Sequence, residues 1–187
     1  MTEDAALIDE TLAGHPQAFG QLVTKYQDRL FNAVVHVLGS VEDAHDVVQD
    51  AFVQAFVKLD TFKRTSAFYT WLYRIAFNRA ISLRRRQRPT SSIEQAREAS
   101  GEEPPGKESS PVERMEQQDR VAQVQTALQE LTEEHRSVLV LREMEGFHYD
   151  EISEILNLPV GTVRSRLHRA RMQMRGQLKK VLQEDIK

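Results

Sequence analysis

Three observations predict an all-α protein, two small helical domains joined by a flexible linker, with a helix-turn-helix in the C-terminal domain. Apolar residues recur every three or four positions over long stretches, and no segment alternates apolar and polar residues as a half-buried strand does. A run rich in Ser, Glu, Gly and Pro, from Pro89 to Pro111, separates the two periodic parts. The predicted division is 1–90 for the first domain, 91–112 for the linker and 113–187 for the second.

Residues 4–13 predict a short helix closed by Gly14-His15-Pro16. A second helix follows over 17–38, with Phe19, Leu22, Val23, Tyr26, Leu30, Ala33, Val34 and Val37 at helical spacing. Gly39 is a natural stop, and Ser40 with Asp43 three residues on resembles a capping box for a third helix over 41–59. That helix has two faces. Ala44, Val47, Val48, Ala51, Val53 and Ala55 are expected inside, and Glu42, Asp43, Asp46, Gln49 and Asp50 form an acidic, amide-rich edge joined by Phe52 and Phe56.

After a loop at 60–65, Ser66 is placed to cap a fourth helix reaching about residue 86, with Leu72, Ile75, Ala76, Ala80 and Leu83 as its buried stripe. Around the stripe Phe68, Tyr69, Trp71, Tyr73 and Phe77 interleave with Arg74, Asn78 and Arg79, ahead of Arg84-Arg85-Arg86-Gln87-Arg88. Rings beside cations suit a single-stranded nucleic acid, because bases stack on the rings while the backbone is neutralised. Trp71 and Phe77 fit a bundle core better. The linker's length of about 22 residues allows a span of roughly 75 Å, so the two domains could engage separated sites on one DNA.

Beyond the linker a helix is expected from 112 or 115 to 131, with Val121, Val124, Leu128 and Leu131 as its stripe. Thr132 caps a further helix carrying Val138, Leu139, Leu141 and Met144, ended by Gly146. In Tyr149 to Arg175, Ile152, Ile155 and Leu156 line one short helix, Asn157-Leu158-Pro159 breaks it, and Val163, Leu167, Ala170 and Met174 line a second. Outside on the second lie Arg164, Ser165, Arg166, His168, Arg169 and Arg171, which could reach base edges and phosphates from a major groove. The plainer reading of that run is a solvated charged face.

Charge is segregated although the whole chain carries only -3. Residues 1–60 hold 3 basic and 10 acidic side chains, residues 61–90 hold 8 basic and none acidic, and 161–187 hold 8 basic and 2 acidic. Two basic islands in an acidic chain suit a protein that meets phosphate at two places and a basic protein surface at a third. The chain has no cysteine, which excludes disulfide frameworks, thiolate metal sites and cysteine nucleophiles. No apolar run approaches a membrane span, so no membrane insertion is expected. The acidic start MTEDAALIDE differs from a signal peptide, and the expected compartment is the cytoplasm.

Four segments together resemble a family: DAHDVVQDAFVQAF at 43–56, SAFYTWLYRIAFNRA at 66–80, LREMEGFHYDEISEILNLP at 141–159 and VGTVRSRLHRAR at 160–171. Their order is similar to that of bacterial RNA polymerase sigma factors of the extracytoplasmic-function (ECF) subfamily. The resemblance implies a protein without enzymatic activity or cofactor that lends promoter specificity to core RNA polymerase and initiates transcription in response to stress or another signal. It makes 1–90 sigma region 2 and 113–187 sigma region 4. It implies that the helix over 41–59 meets the clamp helices of the largest polymerase subunit through Asp43, Asp46, Gln49, Asp50, Phe52 and Phe56, and that the second domain meets the flap of the second-largest. Phe62, Lys63, Arg64, Ser66, Phe68, Tyr69 and Asn78 are implied at the minus-ten element, where DNA is melted and a base held flipped. Thr162, Arg164, Ser165, Arg166, His168, Arg169 and Arg171 are implied at the minus-thirty-five element. An anti-sigma factor, which commonly holds members of the group, becomes a candidate partner. The chain departs from many relatives at Lys63-Arg64-Thr65, where they carry Arg-Gly-Asp or Arg-Gly-Glu, so the glycine suited to a left-handed turn is missing.

Two rival readings bear on the same residues. A stand-alone helix-turn-helix regulator accounts for the end of the chain but leaves the acidic edge and the basic aromatic helix without a role. Glu42-x-x-His45 and Glu145-x-x-His148 repeat the element of di-iron helical bundles. They lack partner glutamates on inward faces, so neither a metal site nor a catalytic residue is expected.

Overall fold

A computed structural model describes residues 3–87 and 111–184, with side chains described at 3–86 and 119–181. The linker expected over 91–112 lies outside the described residues apart from its last two positions, which begin a helix. Every regular element among the described residues is helical: α1 Glu3–Leu12, α2 Pro16–Leu38, α3 Val41–Val57, α4 Phe68–Gln87, α5 Pro111–Gln129, α6 Glu133–Leu139, α7 Tyr149–Leu156 and α8 Val160–Glu184. A 3-10 turn at Leu59–Thr61 follows α3, and a π-helical turn at Val140–Met144 continues α6.

The first unit is built around α2, against which α1, α3 and α4 pack. Its core is Phe19, Leu22, Leu30, Val34, Val47, Ala51, Leu72, Tyr73 and Phe77, all buried. Pro16 begins α2, where its missing N–H costs nothing. Gly39 ends it in the left-handed conformation (φ 75°), its N–H bonded to the Val35 carbonyl, and the Arg84 guanidinium donates to the next open carbonyl, at Leu38. Ser40 then caps α3, its Oγ accepting the Asp43 N–H at 3.2 Å. α1 is fastened to α2 by Tyr26, whose hydroxyl donates to Asp4 at 2.5 Å, and by Lys25, which reaches Glu3 and Asp4.

In the second unit α8 packs against α5, α6 and α7 around Leu128, Val138, Leu141, Ile152, Ile155, Val163 and Leu167. Asn157 closes α7 in the left-handed region (φ 51°), which its short amide side chain tolerates, and the Ser153 hydroxyl donates to the Leu158 carbonyl across the turn. α8 starts at once after Pro159, so α7 and α8 form the expected helix-turn-helix.

Several expected positions move, each for a geometric reason. Phe52 is buried (7% exposed) and Val53 is exposed (57%), the reverse of the expectation. Phe52 lies one turn from both Val48 and Ala55, on the inner face, and Val53 shares the outer face with Gln49, Phe56 and Val57. Ser66 does not cap α4. The helix opens one residue later, with the Trp71 N–H on the Ala67 carbonyl, and the Ser66 hydroxyl donates elsewhere. In α5 Ala127 is buried and Val121 exposed. Thr132 stands at the start of α6 with no side-chain cap, its carbonyl accepting the His135 and Arg136 N–H groups. Met144 points outward because the wider π-helical turn shifts the phase of everything after Val140.

The two units pack on each other, α4 against α7 and α2 against the turn after α6. At the end of α2, Arg136 (1% exposed) sends its guanidinium to the carbonyls of Leu128, Gln129 and Leu131, all at the close of α5, and to that of Val37, each at 2.7–2.9 Å. Beside it Gln129 lies so close to Gly39 that a Cβ there would fall 2.6 Å from the amide carbon. We expect Arg136→Ala to cost at least about 3 kcal/mol in urea unfolding, because buried carbonyls lose a charged donor. A loss below about 1 kcal/mol would show that water replaces the guanidinium.

Candidate nucleic-acid interface

The residues implied at the minus-ten element lie on the loop that follows the 3-10 turn (Phe62, Lys63, Arg64 and Ser66), at the start of α4 (Phe68 and Tyr69) and midway along it (Asn78). Phe62 is half-buried, its ring 5.1 Å from Trp71 and 5.9 Å from Phe68. Phe68 is buried within a cluster formed with Phe19, Tyr26, Phe62 and Trp71, so it supports the rim from behind and offers no face to solvent. Lys63, Arg64 and Asn78 are exposed, and Tyr69 and Ser66 are half-buried. Arg64, where the resemblance led a glycine to be expected, takes the left-handed conformation (φ 56°), and its guanidinium is paired with Asp9 of α1. The loop thus takes a left-handed turn on a non-glycine residue, beside a surface ion pair.

Thr61, Phe62, Lys63, Thr65, Ser66, Trp71 and Arg74 line a cavity of about 220 Å³ that Glu154 of α7 completes. Trp71 and Arg74 were not among the expected site residues. The sequence did hold a signal for them, since 71, 74 and 78 share one face of a helix.

Three carboxylates from the second unit are spent on this surface. The Ser66 hydroxyl donates to Glu154 at 2.6 Å and the Tyr69 hydroxyl to Glu151 at 2.8 Å. The Tyr73 hydroxyl and the Arg29 Nε both donate to the Glu145 carboxylate, at 2.7 and 2.8 Å. Phe147 sits buried between the Tyr69 and Tyr73 rings, at 5.3 and 4.9 Å. Glu145 is thereby committed to Arg29 and Tyr73, and His45 lies against the Phe31 ring at 4.4 Å, so the two Glu-x-x-His pairs are engaged separately. Among the described residues no cluster of three or more His, Asp or Glu could hold a metal ion.

α8 buries Val163, Leu167 and Ala170 and leaves Arg164, Ser165, His168, Arg169 and Arg171 outside, with Thr162 and Arg166 half-buried. Arg166 is paired with Glu134 at 3.0 Å and Arg171 with Glu143 at 2.6 Å. Arg164 lies 5.7 Å from the Tyr149 ring, and Ser165 donates to the Thr162 carbonyl. On α3, Asp46 and Gln49 are exposed, Asp43 is half-buried at the helix start, and Asp50 is paired with Arg79 at 2.8 Å. Val53 (57% exposed), Phe56 (46%) and Val57 (70%) form an apolar strip beside them, with Phe52 behind.

Comparison with known proteins places both units in one family. Residues 22–90 match the family model for Sigma-70 region 2, and residues 122–174 match the model for Sigma-70, region 4. The RNA polymerase sigma-H factor of Pseudomonas aeruginosa is 38% identical over 187 residues, covering 97% of each chain. The ECF RNA polymerase sigma-E factor of Escherichia coli K12 is 41% identical over 173 residues, covering 90% of each. The chain belongs to the ECF sigma factors. Among solved structures, CnrH in complex with the cytosolic domain of CnrY superposes with a TM-score of 0.70 at 30% identity, covering 96% of this chain and 99% of that one. The sigma factor RpoE of Bartonella quintana, solved with the anti-sigma factor NepR, shares the fold with a TM-score of 0.64 at 23% identity, covering 86% of this chain and 96% of that one.

As a sigma factor the chain binds core RNA polymerase and promoter DNA and directs transcription initiation. The regulator reading is set aside, because the first unit is itself a sigma domain. No helix among the described residues is long and apolar enough to cross a membrane.

Ionisation follows the packing. Burial raises the pKa of Tyr69 and Tyr73, and the acceptor carboxylates of Glu151 and Glu145 add to it. Burial, reinforced by Asp4, pushes Tyr26 up to about 12. Burial works against the charge of Arg29, but the Glu145 bond together with the fields of Tyr73, Glu145 and Tyr69 holds the guanidinium pKa above its ordinary value. A phenol whose folded pKa exceeds its unfolded value of about 10 favours the folded state fully below pH 10 and loses that contribution as the pH rises through the folded value. We expect ultraviolet titration of the sigma factor to show these tyrosines ionising late, with thermal stability falling steadily above about pH 10. Complete ionisation of all tyrosines near pH 10 without loss of stability would contradict the packing.

Proposed function

We propose that this sigma factor divides its work among three surfaces, one per helix: α3 for polymerase, the loop and face of α4 for the minus-ten element, and α8 for the minus-thirty-five element. The observation that carries the reading is the strip of Val53, Phe56 and Val57, exposed beside Asp46, Gln49 and Asp50. Exposed apolar side chains bordered by polar groups mark an interface. Its proposed partner is the clamp helices of the largest polymerase subunit, with the second unit on the flap of the second-largest. Phe52 contributes by supporting this strip from below.

At the minus-ten element Phe62 and Tyr69 offer rings for stacking, with the buried Trp71 ring supporting Phe62 from behind, Lys63, Arg64 and Arg74 supply charge, and Asn78 supplies an amide for a base edge. Ser66 adds a hydroxyl at the cavity. At the minus-thirty-five element Arg164 and Arg169 are proposed at or near base edges. Thr162, Ser165 and His168 stand beside them, with Arg166 and Arg171 on phosphate. Response to a stress or other signal, and control by an anti-sigma factor of the kind that holds the Bartonella quintana protein, complete the proposal.

The deciding experiment is co-purification with core polymerase followed by run-off transcription. Val53→Asp, a change at an exposed site, is expected to weaken polymerase binding by about 2 kcal/mol, near thirty-fold, without lowering the melting temperature. Unchanged binding would remove α3 from the polymerase interface. Arg164→Ala is expected to cost about 1 to 3 kcal/mol on the matched promoter element. An equal loss on unrelated duplexes would reassign Arg164 to phosphate.

A further inference from the structure

We propose that Asp9 of α1 is a positioning residue for the minus-ten surface: through Arg64 it holds the loop before α4 in the turn that sets Lys63 and Thr65 on the wall of the cavity, and so bears on which extruded base the cavity accepts. The proposal rests on, and deepens, the reading of that loop given above.

The strained residue of the loop carries it. Among the described residues, Arg64 (φ 56°) and Asn157 (φ 51°) are the non-glycine residues in the left-handed region. Asn157 has a short amide that tolerates this conformation, whereas a long side chain holds it only where its surroundings outweigh the strain. For Arg64 those surroundings lie on α1. Its guanidinium donates through both terminal nitrogens to the two carboxylate oxygens of Asp9, Nη1 at 3.4 Å and Nη2 closer. A two-pronged contact fixes direction as well as distance. The bond lowers the pKa of the Asp9 carboxyl and raises that of the Arg64 guanidinium, so both groups keep their charges.

Asp9 stands on a firm anchor. Ile8 beside it is buried, and Tyr26 and Lys25 of α2 fasten α1 through Asp4. On the other side of the loop, the Phe62 ring packs on Trp71 and Phe68 at 5.1 and 5.9 Å. Arg64 lies between these fixed points. Its neighbours Lys63 and Thr65 line the cavity with Thr61, Phe62, Trp71 and Arg74, while its own side chain turns to α1. One left-handed residue redirects the chain on either side of it, so releasing Arg64 would move both neighbours on the cavity wall.

Magnitudes make the device sensitive. An exposed ion pair shifts an equilibrium by up to about five-fold, and the penalty of a left-handed residue is of the same order or larger. The turn therefore lies near balance. Loss of Asp9 should change the population of the turn by a small but measurable factor.

The test uses the full-length chain assembled with core RNA polymerase. The probe is a pool of single-stranded DNA of about 12 nucleotides, randomised at every position, whose bound strands are sequenced against a background of core polymerase alone. The readout is the ratio of the favoured base to the next at the most selective position. Asp9→Asn is expected to lower that ratio about three-fold, with total strand binding changed less than about two-fold and the melting temperature of the free chain within about 2 °C. Glu10→Gln, the same change of charge at the adjacent exposed position of α1, should match the unaltered chain. In a chain that carries Arg64→Gly, adding Asp9→Asn should change nothing further, because glycine takes the turn without a partner.

If Asp9→Asn keeps the preference of the unaltered chain, the positioning role is disproved and the reading of the loop stands. An equal loss from Glu10→Gln also disproves it, reducing the effect to the charge of α1. So does an equal loss from Asp9→Asn in the presence of Arg64→Gly, since Asp9 would then act without its partner. If neither the unaltered chain nor any variant shows a base preference above that of core polymerase alone, the reading of the loop as the minus-ten surface fails and the proposal falls with it.

Discussion

The buried guanidinium of Arg136 is the contact on which the relation of the two units depends. Removing a charged group from water is costly unless its donors are satisfied, and here they meet main-chain oxygens at the ends of two helices, where the helix dipole favours a cation. Three of those oxygens belong to the corner after α5 and one to the last turn of α2. One side chain therefore shapes the second unit and joins it to the first. Its neighbours extend the seam: Gln125 bonds the His36 ring at 2.8 Å, and the Gln129 amide fits against Gly39, so that a Cβ there would have to displace it.

From that seam the second unit swings across α2 to α4, and the segregated charge finds its use inside the molecule. The basic island around α4 is answered by acids of its own unit, Arg64 by Asp9 and Arg79 by Asp50, while the glutamates of α7 and of the turn before it take hydroxyls of α4 and Arg29 of α2. The basic face of α8 is only partly answered, through Glu134 and Glu143. Surface pairs of that kind contribute little individually and weaken with salt, so they leave α8 available to a phosphate backbone.

Helical periodicity was enough to read the eight helices, the stop at Gly39, the cap at Ser40 and the helix-turn-helix. It failed where phase shifts by a single residue. Phe52 and Val53 are both apolar and adjacent, and the phase set by Val48 and Ala55 turns Phe52 inward onto Phe19, at 6.5 Å, which a count of apolar residues alone overlooks. The π-helical turn that exposes Met144 has no mark in the composition. Packing between the units was illegible for a different reason: Ser66 and Glu154 are 88 positions apart and Tyr69 and Glu151 are 82, and nothing local in the sequence couples them. Arg64 shows the opposite case, a residue that defies its local preference because the loop around it and Asp9 hold the shape.

The makeup of the seam also bears on whether it can open. Phe147 is the main apolar anchor between α4 and α7, flanked by tyrosines whose polar ends point to carboxylates. An interface closed mainly by apolar area would give up that area to water when separated, at roughly 25 cal/mol for each Å². One closed by hydroxyl and guanidinium bonds to carboxylates loses far less, because each donor freed can take up an equivalent bond to water or to a nucleic-acid phosphate, and the net worth of each bond is only about 1 to 3 kcal/mol. The exchange is close to balanced. A contact of this composition suits two domains that must part on a partner and return without it, whereas Arg136, buried with four carbonyls, suits the hinge end of the same seam.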